Sequence, residues 1–278
     1  MYRTDLALEA HQQSQKEAAR LSGVTVEEQH CHNIPVTTVK ITSREAAEKL
    51  DKPRGCYITL ELEQLLKHGQ DVPEVGGEAL GQQLQRLLPA GPVLVVGLGN
   101  AAVTPDAVGP RSLEHLLVTR HLRQFMPETF GMLRACSAFA PGVLGATGLE
   151  SAQMVRRIAE LSGAASMIVV DALAACEEKR LCTTVQLADT GIVPGSGIGN
   201  SRAAFDQSTM GVPVIAVGVP TVIRAEVLRQ DGKPSDLIVT PSDIDRRVAG
   251  MARIIGAGIN RALFPELSSA ELTQLTTL

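Results

Sequence analysis

The sequence predicts an α/β fold built on an open, mixed but mostly parallel sheet with helices on both faces. Short buried apolar runs alternate with segments of helical period: Val93–Val96, Ala135–Phe139 and Met167–Val170 are separated by Ser112–Phe125 and Ser151–Leu161. Strands separated by helices of that size imply right-handed crossovers and parallel pairing. Two of the runs are followed by an acid. The first breaks at Gly97 and Gly99 and delivers Asp106 just before a helical pattern, and the second ends on Asp171. In an open parallel sheet the carboxyl ends of the strands line the crevice where ligands bind. The 278 residues are 44% apolar and only 3% aromatic, without tryptophan, so Val, Ile, Leu and Ala must fill one sizeable core.

In chain order, residues 1–28 are polar and Gln-rich, with a weak helical period through Leu6, Ala10 and Ala18, and are expected to form a surface arm. Val36–Ile41 reads as a strand, Ala46–Leu50 as a short helix stopping before Lys52-Pro53, and Tyr57–Leu60 as a strand because Tyr, Ile and Thr suit a pleated surface. Leu80, Leu84, Leu87 and Leu88 give Gly76–Leu88 a helical period that breaks at Pro89-Ala-Gly-Pro92. After the alternating section come a strand at Thr183–Leu187, a Gly-rich loop at Asp189–Asn200 and a buried strand at Pro213–Val219. Thr240-Pro241-Ser242 supplies the start signal for a helix over Ser242–Leu263. No internal repeat interrupts a single domain spanning residues 1–278.

A net charge of −4 offers no basic face, which argues against direct nucleic-acid binding. Five cysteines without a C-x-x-C pair suggest neither a disulfide framework nor a zinc knuckle, and reduced thiols fit a cytoplasmic protein. No apolar run is long enough for a membrane span.

Several motifs invite and resist assignment. Gly97-Leu-Gly99-Asn-Ala-Ala102 follows a strand as a dinucleotide fingerprint does, but Val103-Thr104-Pro105 delays the helix and no ribose-binding acid lies in Leu117–Leu122. Asp189-Thr-Gly191 spells the triplet of pepsin-like proteases in a chain whose strand–helix alternation is wrong for that fold. Ser196 lacks the spacing of a nucleophile elbow. His30 and His32 would face away from Cys31 in a strand, so no metal site is expected there.

Asp106 and Asp171 each have a bland role available, as acids that cap the turn after a strand. As a pair at one sheet edge they permit more: mutual repulsion raises one pKa and leaves a neutral acid beside a charged base. One could activate water while the other protonates a leaving amine or stabilises the carbonyl oxygen.

At these residues the chain resembles the germination protease family of endospore-forming bacteria. The matching segments are Arg3-Thr-Asp-Leu-Ala-Leu-Glu9, Tyr57-Ile-Thr-Leu-Glu61, Gly97-Leu-Gly-Asn100, Val103-Thr-Pro-Asp-Ala-Val-Gly-Pro110, Thr119-Arg-His121, Ala140-Pro-Gly-Val143, Thr147-Gly-Leu-Glu150, Asp171-Ala-Leu-Ala-Ala175, the Asp189–Asn200 loop, Gly218-Val-Pro-Thr221 and Val239-Thr-Pro241. The resemblance implies a fold similar to hydrogenase-maturation endopeptidases. It also implies an endopeptidase of aspartic type that needs no cofactor, degrades small acid-soluble spore proteins in the spore core, and is a homotetramer.

The family's proposed catalytic aspartates fall on Asp106 and Asp171. Residues expected to hold substrate are Gly97, Gly99, Asn100, Pro141, Gly142, Thr147, Gly148, Asp189, Gly195, Ser196 and Gly197. Members are zymogens that cut after an acid in a Thr-Glu-Phe-Ala-Ser-Glu type target, which Thr4–Glu9 is similar to. Self-processing between Asp5 and Leu6 is therefore expected, with residues 1–5 as a short pro-segment. Typical members have a longer segment before Arg3, a longer insert where Arg224–Asp236 is brief, and a basic residue where this chain has Cys176. Two other functions stay open: a non-catalytic ligand or nucleotide binder, and a maturation-type endopeptidase that recognises a metal on its substrate.

Overall fold

The computed structural model describes residues 2–16, 21–199, 202–229 and 235–276; Ala18 of the expected arm and Asn200 of the Gly-rich loop lie outside them. Among the described residues nine strands form one sheet. They are β1 (Val24–Cys31), β2 (Ile34–Ile41), β3 (Gly55–Glu61), β4 (Val93–Gly97), β5 (Cys136–Phe139), β6 (Ser166–Ala175), β7 (Thr184–Ala188), β8 (Val214–Arg224) and β9 (Ile238–Val239). Their order is β1-β2-β3-β7-β8-β6-β4-β5, with β9 on the far end of β8.

The sheet is open and mixed, as the alternation predicts. Its parallel part is the run β8-β6-β4-β5, and every other pairing is antiparallel. The antiparallel share is larger than expected for a physical reason. Only residues 176–183 join β6 to β7, too few for a crossover, so β7 must return in the opposite direction. The β1–β2 hairpin turns on His32 and Asn33, both at positive φ (50° and 62°), as a two-residue hairpin turn with matching twist requires. β1 itself is a polar edge strand with both faces largely exposed, which is why no alternation announces it.

Strand alternation sends the core two ways. Val93, Val95, Ile168, Val170, Ile215 and Val217 pack beneath the helices Val72–Gln85 and Ile244–Leu263. On the opposite face the helices Ala7–Lys16 and Arg44–Leu50 pack against Val39, Ile41 and Tyr57, and the helix Ser151–Ser162 covers Leu94, Val96, Met167 and Val169. Between those two groups, over β6 and β8, this second face is left to loops, and there a cleft opens.

Three expectations change. The N-terminal residues form no surface arm: Thr4, Leu6, Ala7, Leu8, Glu9 and Ala10 are buried. Their small apolar side chains give a faint period, and the acid among them is neutralised inside. Glu9 accepts from the Cys176 and Glu177 amides at 2.8 and 2.9 Å and from the Thr4 hydroxyl, and faces Arg180 at 3.6 Å.

The helix expected over Ser112–Phe125 is two, Val108–Leu113 and Arg120–Phe125. Between them the Asn260 side chain accepts from Leu117 N (2.9 Å) and donates to His115 O (2.8 Å), replacing helical hydrogen bonds with tertiary ones.

β6 and β8 run past their expected ends at Val170 and Val219, because they continue to pair with each other across a register shift at Leu173/Ala174.

Candidate active site

β4 ends at Gly97 while its neighbour β6 continues, so Asp171, the residue after Val170, has no β4 partner. Asp171 therefore lies within a strand, not at its end as the sequence suggested, and it is the shorter β4 that uncovers it. Leu98 N still bonds Val170 O at 2.8 Å before the chain turns away. The turn depends on Gly99, at φ +109°, where a Cβ would overlap the Asp106 carbonyl oxygen. Beyond it the single 3₁₀ turn Thr104–Asp106 is tied from two sides. The Thr221 hydroxyl on β8 donates to Pro105 O (2.7 Å), and the Thr104 hydroxyl donates to Asp245 (2.8 Å) in the first turn of the Ile244–Leu263 helix. Gly109, the second residue of the following helix, sits so close to Leu98 O and Val170 O that no side chain fits. These contacts bring Asp106 down beside Asp171.

Both carboxylates open on one cavity of about 540 Å³. Among the described residues, Asp106 accepts one hydrogen bond, from Asn100 N at 2.7 Å, and Asp171 accepts one, from Ala172 N at 2.9 Å. Among the described residues no cation forms an ion pair with either, although Arg202 lines the same cavity. Burial pushes the Asp106 carboxyl up, against the Asn100 hydrogen bond. Asp171, only 4% exposed, is pushed well above the ordinary carboxylate range, first by burial and then by the charges of Asp106 and Asp5. Burial thus favours the protonated form of both carboxyls, and at Asp171 the charges of Asp106 and Asp5 add to it.

The remaining candidates divide. Gly99, Gly142 and Gly195 line the cavity with the aspartates. Gly97 and Asn100 shape the turn behind it: Gly97 abuts the Gly109 carbonyl, and the Asn100 side chain accepts from Ala102 N (3.0 Å). Because Asp106 takes the Asn100 amide, the Gly97–Ala102 turn has no helix N-terminus aimed at a phosphate, which removes the physical basis for nucleotide binding there. Pro141 is buried away from the cavity lining, and Thr147 and Gly148 are exposed at the end of the turn Leu144–Thr147. Asp189 closes the β3–β7 ladder by accepting from Cys56 N (2.8 Å), on the exterior.

Ser196 and Gly197 lie instead against Asp5. The Ser196 hydroxyl donates to Asp5 Oδ1 at 2.6 Å, Ala174 N donates to Oδ2 at 2.8 Å, and a side chain at Gly197 would overlap the Asp5 carboxylate. Asp5 also lines the aspartate cavity. The Asp5–Leu6 link is thus beside the pair yet firmly held, with Leu6 fully buried and Asp5 O accepting from Gln186 at 3.1 Å.

Gln186 is the residue that sequence inspection passes over. Its signal was present: an amide inside the otherwise apolar or small-residue strand Thr184–Ala188, only 6% exposed. Among the described residues no group of three His, Cys, Asp or Glu side chains is arranged to hold a metal ion. His30 and His32 belong to the β1–β2 edge, at the other end of the sheet order from β4. No helix among the described residues is long and apolar enough to cross a membrane.

Residues 2–233 match the family model described as germination protease. The germination protease of Caldanaerobacter subterraneus subsp. tengcongensis is 38% identical, over 98% of this chain and 97% of its own length. That of Clostridium acetobutylicum is 35% identical over 98% of each chain. Among solved structures, the nickel–iron hydrogenase maturation protease HycI from Thermococcus kodakarensis resembles 64% of this chain and 99% of its own. Its identity of 17% and TM-score of 0.35 make the likeness too distant to bear on activity. The family model over residues 2–233 and relatives over nearly the whole sequence agree: the chain belongs to the germination protease family of peptidases.

Proposed function

We propose that the protein is an endopeptidase that degrades small acid-soluble spore proteins in the spore core during germination, using Asp106 and Asp171 to activate water. The observation that carries this is the pair itself: two carboxylates opening on one cleft, each, among the described residues, with one backbone donor and no ion pair. In the singly protonated pair, the ionised carboxylate takes a proton from water as its oxygen attacks the peptide carbonyl. The protonated one donates to the carbonyl oxygen, giving a tetrahedral diol; as the C–N bond breaks, the carboxyl that took the proton from water passes it to the leaving amine, and the other recovers a proton from a diol hydroxyl as the new carboxyl group forms. The two roles belong to the pair, because coupled groups titrate together. Self-processing between Asp5 and Leu6 belongs to the same proposal, supported by the place of Asp5 in the cleft, as does assembly as a homotetramer.

The test is to incubate the protein, Asp106→Asn and Asp171→Asn with an acid-soluble spore protein carrying a Thr-Glu-Phe-Ala-Ser-Glu target and to read fragments by intact mass. Cleavage after the target Glu by the unaltered protein, lost in both variants, is expected. No cleavage by folded protein, with Met1–Asp5 present or removed, overturns the proposal.

A further inference from the structure

Asp171, Gly218 and Gln186 form one row across β6, β8 and β7: Gly218 is the register partner of both neighbours. Residues in one such row point to the same face of a sheet. Asp171 and Gln186 therefore stand about 10 Å apart by two strand spacings, and Gly218 between them carries no side chain, leaving its place to Leu173. Over that floor passes the chain's own segment Thr4–Ala7. Gln186 Nε2 donates to Asp5 O at 3.1 Å and its Oε1 accepts from Ala7 N at 2.7 Å, so one amide grips the main chain on both sides of the Asp5–Leu6 link. Asp5 N adds a backbone bond to Ala174 O at 2.9 Å.

We propose that Gln186 and Ser196 are substrate-holding residues, Gln186 clamping the main chain at the bond to be cut and Ser196, with the Ala174 amide, seating the acidic side chain before it. The assignment rests on the endopeptidase function proposed for the Asp106–Asp171 cleft, and Thr4–Ala7 occupies the path as a substrate would. A carboxamide is suited to the first task because it alone among uncharged side chains both donates through nitrogen and accepts through a separate oxygen, matching a C=O and an N–H two residues apart whatever the sequence. The second pocket offers a donor to each oxygen of a carboxylate, the Ser196 hydroxyl to one and Ala174 N–H to the other, and hydrogen bonds to a charged acceptor are the stronger kind. Gly197 keeps that pocket open, since a Cβ there would overlap the Asp5 carboxylate. The half-buried Lys52 reinforces the approach by donating to Thr4 O at 2.9 Å.

The experiment uses the full chain and two peptides that differ only in Asp or Asn before the scissile bond. Ser196→Ala is expected to lower kcat/KM for the Asp peptide about 10- to 100-fold, the worth of a hydrogen bond to a charged group, and to change the Asn peptide far less, so that the preference ratio collapses. Gln186→Met, which keeps shape without hydrogen bonds, should slow both peptides by a similar factor of about tenfold and leave the ratio intact. Gln186→Glu, which keeps the acceptor for the Ala7 position and loses the donor to the carbonyl, should behave like Gln186→Met. An active wild type whose variants keep both rate and ratio overturns the assignment while leaving the endopeptidase proposal standing. A folded wild type that cuts neither peptide overturns both. If the Gln186 variants do not fold, the Ser196→Ala ratio decides alone.

Discussion

Removing the charge of Asp171 should stabilise the protein at neutral pH while abolishing its activity. Asp171 is buried, accepts one amide hydrogen bond from Ala172 N, and among the described residues forms no ion pair. Its pKa in the folded protein is raised well above the value of about 3.8 that serves as its reference. The sign follows from proton linkage. Below the unfolded pKa both states carry the proton and nothing is lost. As pH rises toward the folded pKa, the unfolded chain releases its proton while the folded one retains it, so stability falls across that interval and levels off above it. Each unit by which the folded pKa exceeds the unfolded one costs about 1.4 kcal/mol at high pH, or about 2–4 °C in Tm for a chain of this order of size. Asp171→Asn keeps the acceptor for Ala172 N and removes the ionisation. Calorimetric melts at intervals between pH 4 and pH 8 should therefore show the variant and wild type nearly coincident at the acid end. They should separate as pH rises, with the variant melting higher. A wild type that is as stable as Asp171→Asn at pH 8 would refute the uncompensated carboxylate, and with it the reason to assign the pair a shared proton.

The same coupling predicts a pH–rate profile with two limbs that belong to the pair, activity falling as pH rises through the upper, raised pKa and again as it drops through the lower; a single limb spanning pH 4 to 9 would contradict it. Gly99→Ala forces a side chain into the Asp106 carbonyl at a φ that costs about 1–3 kcal/mol for residues with a Cβ; urea titration should show that loss, and displacing Asp106 by about 1 Å should cost about 100-fold in kcat. Arg180→Met leaves buried Glu9 without its cation, and breaking such a pair costs about 3–5 kcal/mol; the urea midpoint should fall accordingly, with protease nicking now reaching the Ala7–Lys16 helix. Thr221→Val removes the donor to Pro105 O while keeping shape, so stability should fall about 1 kcal/mol and kcat more than KM should suffer, as measured in steady-state assays.

What the sequence by itself determined is local. The apolar runs at Val93 and Met167, the glycines that follow the first, and the acids Asp106 and Asp171 were legible because burial and turn geometry leave marks on consecutive residues. The parallel half of the sheet followed from those marks through crossover length. Strand pairing over long separations leaves no such mark. The Gln186–Gly218–Asp171 row joins residues on three strands, and only the tertiary register decides that an amide in one strand shares a row with a carboxylate two strands away. The N-terminal segment shows the same limit. Its acids and glutamines read as solvated because charge is costly to bury unpaired, yet Glu9 finds Arg180 and two amides, and Asp5 finds Ser196 and Ala174, from residues more than 160 positions distant. Composition records that a group is polar. Which partner compensates it, and therefore whether it lies on the surface or beside the Asp106–Asp171 pair, is settled by packing that brings distant segments together.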